Sequence, residues 1–204
     1  MKSRQAKKSD AHILGPLIFS SAPASLAAIF DINDELSALK FLGSSLLSAG
    51  GQYGYDNHWV AEIDNQIVGC ISAWHGDLVE SFDQATLVTL SAFYGFAYAL
   101  RVLETSQALQ DCIPRLQKHE WCIGHFAVTE QYQKQGVGNA LLMLMQEKAL
   151  ASGRTVLSLD VDCENTQAIN FYLRRGFVLI NQSDISPRMQ TLGIGSYLHL
   201  RKDL

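Results

Sequence analysis

The stretch Phe126-Ala-Val-Thr-Glu-Gln-Tyr-Gln-Lys-Gln-Gly-Val-Gly-Asn-Ala-Leu-Leu142 decides how the rest of the chain is read. It opens as the end of a strand, Trp121 to Val128, rich in aromatic and β-branched residues. A polar turn leads into Gln133-x-x-Gly136-x-Gly138, and Leu141, Leu142, Leu144 and Met145 then recur at helical spacing, which predicts a helix over 137–151. A glycine turn that delivers the chain into a helix N-terminus makes an anion site. The first-turn N–H groups lack intrahelical partners, the helix dipole adds partial positive charge, and glycine lets a phosphate approach the backbone. A nucleoside-triphosphate loop requires Gly-Lys-Ser/Thr, but Asn139-Ala140 follows Gly138. A dinucleotide loop requires a third small residue where Leu141 stands, and no early βαβ unit precedes it. Taken alone, the loop is also compatible with an ordinary tight strand-to-helix turn.

Further along come Leu157-Ser-Leu-Asp-Val-Asp-Cys-Glu-Asn165, then Ala168, Phe171-Tyr172 and Gly176-Phe177. Gln-x-x-Gly-x-Gly followed by Asn-x-x-Ala-x-x-Phe-Tyr-x-x-x-Gly-Phe resembles the GNAT superfamily of acyl-CoA-dependent N-acyltransferases. The resemblance covers 121–180, and Arg4-x-Ala6-x-x-Ser9-Asp10-Ala11 is similar to that family's opening strand and helix. Residues 77–118 have no counterpart in it. The resemblance implies acetyl-CoA as cosubstrate and an amine as acceptor.

Length and composition are consistent with this. The chain has 204 residues, enough for one full core, with 48% hydrophobic and 18% charged residues, as in soluble globular proteins. A net charge of −4 argues against non-specific nucleic-acid binding. Lys2, Arg4, Lys7 and Lys8 precede no apolar run of signal type. Cys70, Cys112, Cys122 and Cys163 are scattered, so reduced thiols in a cytoplasm are expected and no metal site is. Gln84 to Leu100 holds no charge, but it is short for a membrane span and contains Thr86, Thr89, Ser91, Tyr94, Gly95 and Tyr98. It is expected to be a buried or interface helix, which leaves a homodimer open.

In chain order, residues 2–6 are expected as an edge strand, and Ser9 or Asp10 as the cap of a helix running to Ser21. A short helix after Pro23 and a second over Glu35–Leu47 follow, the latter with Leu36, Leu39, Leu42 and Leu46 on one side. Residues 48–57 are a loop with Tyr53 and Tyr55 packed in it. Residues 59–63 and 66–74 make a hairpin through Asp64-Asn65, a pair that tolerates the positive φ a two-residue turn requires. A helix over 81–109 follows, then strands at 121–128, 155–161, 177–180 and 197–201, with a helix over 165–175 and a loop over 183–187. The expected fold is α/β: a GNAT-like mixed, mainly antiparallel sheet flanked by helices, in a single domain over 1–204, with a helical insertion at 77–118 between the third and fourth strands.

An amine attacks a thioester only when neutral, so transfer needs a proton acceptor for the amine, N–H donors for the oxyanion and an acid for the departing thiolate. The resemblance assigns these parts. Main-chain groups of Phe126, Ala127 and Val128 would pair with the pantetheine arm and polarise the carbonyl. Backbone N–H groups of Gln133, Lys134, Gln135, Gly136, Val137 and Gly138 would hold the pyrophosphate, with the Lys134 side chain near it. Asn165 would bind the arm, and Tyr172 would protonate the leaving sulfur. Asp160 lies twelve residues before Tyr172, where ribosomal-protein alanine acetyltransferases of this superfamily carry a glutamate as base. Aspartate is one methylene shorter, so a water would bridge; a solvated or capping carboxylate is the alternative reading. Other branches use side chains on the central strand. His125 is the histidine there, but strict alternation places it opposite Cys122 and Gly124 unless a bulge intervenes, which favours a structural or substrate-lining role. Glu120 has the right parity but lies far out on the strand.

The reading is an acetyl-CoA-dependent N-acetyltransferase that acts by direct attack in a ternary complex, because no Cys–His pair at workable spacing supports an acyl-cysteine. The acceptor is a small-molecule or protein amine. The alternatives are a GNAT module that binds acyl-CoA without turnover, and an interaction protein built around the 81–109 helix.

Overall fold

The computed structural model describes residues 1–77 and 80–204; Leu78 and Val79, inside the expected insertion, lie outside the described residues. Seven strands, β1 (Lys2–Gln5), β2 (His58–Ile63), β3 (Gln66–His75), β4 (Glu120–Val128), β5 (Val156–Asp162), β6 (Val178–Gln182) and β7 (Tyr197–Asp203), form one sheet in the order β1-β2-β3-β4-β5-β7-β6. Every neighbouring pair is antiparallel except β4–β5. The β2–β3 turn has φ of 50° at Asp64 and 62° at Asn65, as the hairpin reading requires.

Helices α1 (Ala11–Ser21), α2 (Pro23–Phe30), α3 (Ala38–Ser45) and α4 (Glu80–Gln110) build one core around Leu14, Ile18, Phe30, Phe41, Leu42 and Tyr94. Helices α5 (Val137–Ala151) and α6 (Thr166–Leu173) cover the opposite face with Leu141, Met145 and Tyr172 against Ile71, Ile123, Leu157 and Leu159. A short helix α7 (Pro187–Thr191), capped by the Ser186 hydroxyl, begins at the last residue of the expected 183–187 loop. It sets Met189 against Cys112 and Ile113 after α4.

Three local expectations are corrected. Asp10 does not cap α1: its carboxylate reaches back to the Lys7 N–H at 2.8 Å and to the Arg4 guanidinium at 2.7 Å. The α3 helix is shorter than Glu35–Leu47, because Asp31 Oδ1 accepts from the Ala38 N–H at 2.7 Å and so fixes its start; Leu39 is exposed rather than on the buried side. Helix α4 stands between β3 and β4 as expected but is broken at Gly95 (φ 70°, ψ 167°). By length and composition it could cross a membrane. One of its sides, Leu90, Tyr94, Ala99 and Val102, packs into the α1–α3 core, and the Tyr94 hydroxyl donates to the Phe30 carbonyl at 2.7 Å. Leu87, Val88, Phe96 and Leu100 are exposed.

Candidate active site

The parallel ladder between β4 and β5 joins Glu120–Cys122 to Val156–Ser158 and goes no further. Beyond it the strands part, and from Ile123 onward the β5-side edge of β4 is unpaired. A cleft of about 990 Å³ lies against this free end of β4. Its walls include Phe126, Ala127 and Val128 of β4, Gln133, Lys134, Gly136 and Gly138 of the glycine turn, and Asn165 and Tyr172 of the α6 region. Elements far apart in the chain thus bring most of the expected residues to one wall. Gln135 and Val137 are not on it. The Gln135 side chain donates to the Gln131 carbonyl at 2.7 Å, and Val137 is buried in the core.

The glycine turn has the geometry of an anion cradle. Lys134 (φ 59°) and Gly136 (φ 89°) are left-handed, and Gly136 starts α5 with no side chain to cap it, so the first-turn N–H groups face the cleft unpartnered by a cap. Gln133 pins the turn: its Nε2 donates to the Val128 carbonyl at 3.1 Å and its Oε1 accepts from Gln167 at 3.0 Å. A Cβ on Gly138 would come within 3.2 Å of the Phe171 ring, so packing also constrains this position.

Sequence reasoning missed two cationic residues and one wall. Arg174 and Arg175 also line the cleft. Arg175 stacks on Phe171 at 3.6 Å and donates from Nε to Asn139 Oδ1 at 3.1 Å. The two arginines before Gly176 were a visible signal, though nothing in the pattern told which way they point. The far wall is α1, through Ile13, Pro16, Leu17, Ser20 and Ser21. Asn165 has a divided role: its Oδ1 accepts from the Ala168 N–H at 3.0 Å as the cap of α6, which leaves its amide NH₂ as the group free for a ligand.

Tyr172 is 7% exposed, packed against Phe126, Phe171 and Phe177. Burial, with Cys122 beside it, raises its phenol above the ordinary value, so the hydroxyl keeps its proton at neutral pH. Burial, then the Asp160 carboxylate, likewise raises the Cys122 thiol. Tyr172 and Asp160 therefore both lie near Cys122, where the strands part. Asp160 is not on the wall of the large cleft. It is on the sheet face toward α1–α4, and its Oδ1 accepts from His199 Nδ1 of β7 at 2.9 Å.

His125 corrects the parity argument. Cys70 pairs with Ala127 and Ser72 with Gly124, so two residues of β4 oppose one of β3: a bulge. His125 sits in it with φ 34°. Its ring stays on the same face as Gly124: a Cβ on Gly124 would run into Trp74 and lie 3.3 Å from Ser72 Oγ, and His125 Nδ1 is 3.1 Å from that oxygen. His58 Nε2 lies 3.2 Å from the same Nδ1, and Tyr53 packs on the ring. Burial pushes His58 down to about 4, and burial with His58 alongside pushes His125 down to about 3, so both rings are neutral. Glu120 is closed off, accepting from the Gln117 N–H at 3.0 Å and ion-paired with Arg201 at 3.1 Å.

A sheet opened between two parallel strands, with a glycine turn and helix N-terminus at the mouth of the opening, defines an acyl-CoA-binding fold. Residues 43–177 match the acetyltransferase (GNAT) family, and the chain belongs to that family. No match was found among curated protein sequences. Similar solved structures include an acetyltransferase (21% identity, TM-score 0.69, 100% of this chain and 99% of that one) and an N-acetyltransferase from Staphylococcus aureus Mu50 (20%, 0.67, 98% and 100%). The ribosomal-protein-alanine N-acetyltransferase from Brucella melitensis is similar at 18% identity and TM-score 0.55, over 100% of both chains. At these identities the likeness is one of fold. Among the described residues no cluster of metal-ligating side chains occurs, and all four cysteines are free.

Proposed function

We propose that the protein transfers an acetyl group from acetyl-CoA to a primary amine by direct attack in a ternary complex. The observation that carries this is the cleft itself: one opening holds an unpaired strand edge for the pantetheine arm, a left-handed glycine turn with Lys134 and Arg174 for phosphates, and the Tyr172 hydroxyl for the leaving sulfur. Phe126, Ala127 and Val128 offer main-chain groups to the arm. One of their N–H groups stabilises the oxyanion, and Tyr172 protonates the thiolate. Burial pushes the Cys70 thiol up to about 12 and raises Cys122 as well, so neither is a thiolate at neutral pH, which favours direct attack over an acyl-cysteine. A protein α-amine, as named for the Brucella protein, is one acceptor class; lysine, polyamines and amino sugars are others.

The test is thiol release from acetyl-CoA against a panel of an N-terminal peptide, a lysine peptide, spermidine and glucosamine, with calorimetry of CoA alongside. Amine-dependent release is expected. Tight CoA binding with no release across the panel would favour a non-catalytic acyl-CoA module.

A further inference from the structure

We infer that His199, oriented by Asp160, takes the proton from the acceptor amine: Asp160 Oδ1 and His199 Nδ1 meet at 2.9 Å across β5 and β7, on the sheet face toward α1–α4, and the other ring nitrogen makes no hydrogen bond among the described residues. This rests on the acetyl-transfer reading and adds to it the residue that would touch the amine.

A carboxylate only accepts, so Nδ1 carries a hydrogen, and in the neutral imidazole Nε2 presents a lone pair. Among the described residues Nε2 makes no hydrogen bond, and it is not one of the partnerless side-chain atoms sealed from solvent, although the residue is only 6% exposed. A base held by a third group in its working tautomer is the arrangement that nucleophilic transfer needs. The pair also resolves the short reach of an aspartate at position 160. An imidazole lengthens it, where a water would otherwise have to bridge. The other imidazoles on this face serve less well. Packing holds His58 near 4 and His125 near 3, far from the amine they would have to deprotonate, and His125 Nδ1 is engaged by His58 and Ser72.

Nε2 takes one proton from the ammonium and passes it to solvent. The neutral nitrogen attacks the thioester carbon, the C–N bond forms and the C–S bond breaks. Nε2 takes the surplus proton of the new amide and passes it to solvent, and the thiolate takes the Tyr172 hydroxyl proton, which solvent in the cleft replaces. Asp160 is a positioning residue in this scheme.

Kinetics with the amine that wild type turns over fastest provide the test. His199→Asn keeps a donor for Asp160 but has no basic nitrogen. Its kcat should fall about 10²–10³-fold with the acetyl-CoA KM little changed. Asp160→Asn should lower kcat by about tenfold or more with the same KM, through loss of tautomer control. In His199→Ala, free imidazole added to the buffer should restore part of the lost rate and leave wild type unaffected. CoA calorimetry establishes that each variant is folded. A folded His199→Asn at wild-type kcat, or a folded His199→Ala that imidazole does not rescue, overturns the assignment while the transfer reading stands. Wild type that binds CoA but acetylates no amine overturns both.

Discussion

Tyr172 and the His58–His125 pair show how much one side chain's surroundings decide. Replacing Tyr172 by Phe removes one oxygen from a ring held by three aromatic neighbours, so folding and CoA affinity should survive. General acid catalysis is worth about 10²–10⁴ in rate, and kcat should fall toward the lower figure because the thiol of CoA is itself a fair leaving group. Steady-state kinetics check this; an unchanged kcat would place the acid elsewhere. The two histidines predict a pH dependence of stability. Their folded-state pKa values lie below the ordinary 6.5, at about 4 for His58 and about 3 for His125, so the unfolded chain binds more protons below pH 6.5. Stability from this source is complete above that pH and is lost as pH falls toward 4, by about 3 kcal/mol for His58 alone. Urea unfolding at pH 7 and pH 5 should show the decline, and His58→Gln should flatten it even though the variant is less stable at pH 7.

Three glycines carry predictions about the elements they belong to. Gly95 breaks α4 with φ 70° and ψ 167°, a backbone region other residues avoid, yet a Cβ there meets nothing within 4 Å. Gly95→Ala therefore tests backbone strain alone and should cost about 1–3 kcal/mol. Gly43 of α3 also faces open space but has ordinary helical geometry, so Gly43→Ala should stabilise by about 0.5–1 kcal/mol. Thermal unfolding of the two variants gives opposite signs if the break in α4 is a fixed feature of the fold. Gly138→Val should weaken CoA binding by tenfold or more, a loss of ~1.4 kcal/mol, because the new side chain displaces Phe171 and, through it, Arg175. Calorimetry on the folded variant decides it.

The cleft has α1 as one wall and the glycine turn and α6 region as the other, so an acyl-CoA bound there would tie together segments far apart in the chain. A ligand that binds only the folded state at a hundred times its dissociation constant adds about 2.7 kcal/mol. For a chain of this length that is a rise in Tm of about 5–10 °C. Scanning calorimetry with and without acetyl-CoA measures it, and no rise at saturating ligand would mean the cleft is not the binding site.

The sequence by itself determined the strand, the glycine turn and the two helices around it, because periodicity and turn chemistry are local signals. It also placed a helix between the third and fourth strands from an uncharged run alone. It could not show that His125 turns back toward Ser72, since a bulge is a mismatch between two strands and neither strand carries it alone. Nor could it show that Asp31 starts α3 or that α1 walls the cleft. The partner of Asp160 was invisible for the same reason. His199 lies thirty-nine residues away, and only the antiparallel register of β5 and β7 sets the two side chains within 2.9 Å. Chain-local forces write the elements; the register between strands, which depends on both at once, settles which polar groups meet.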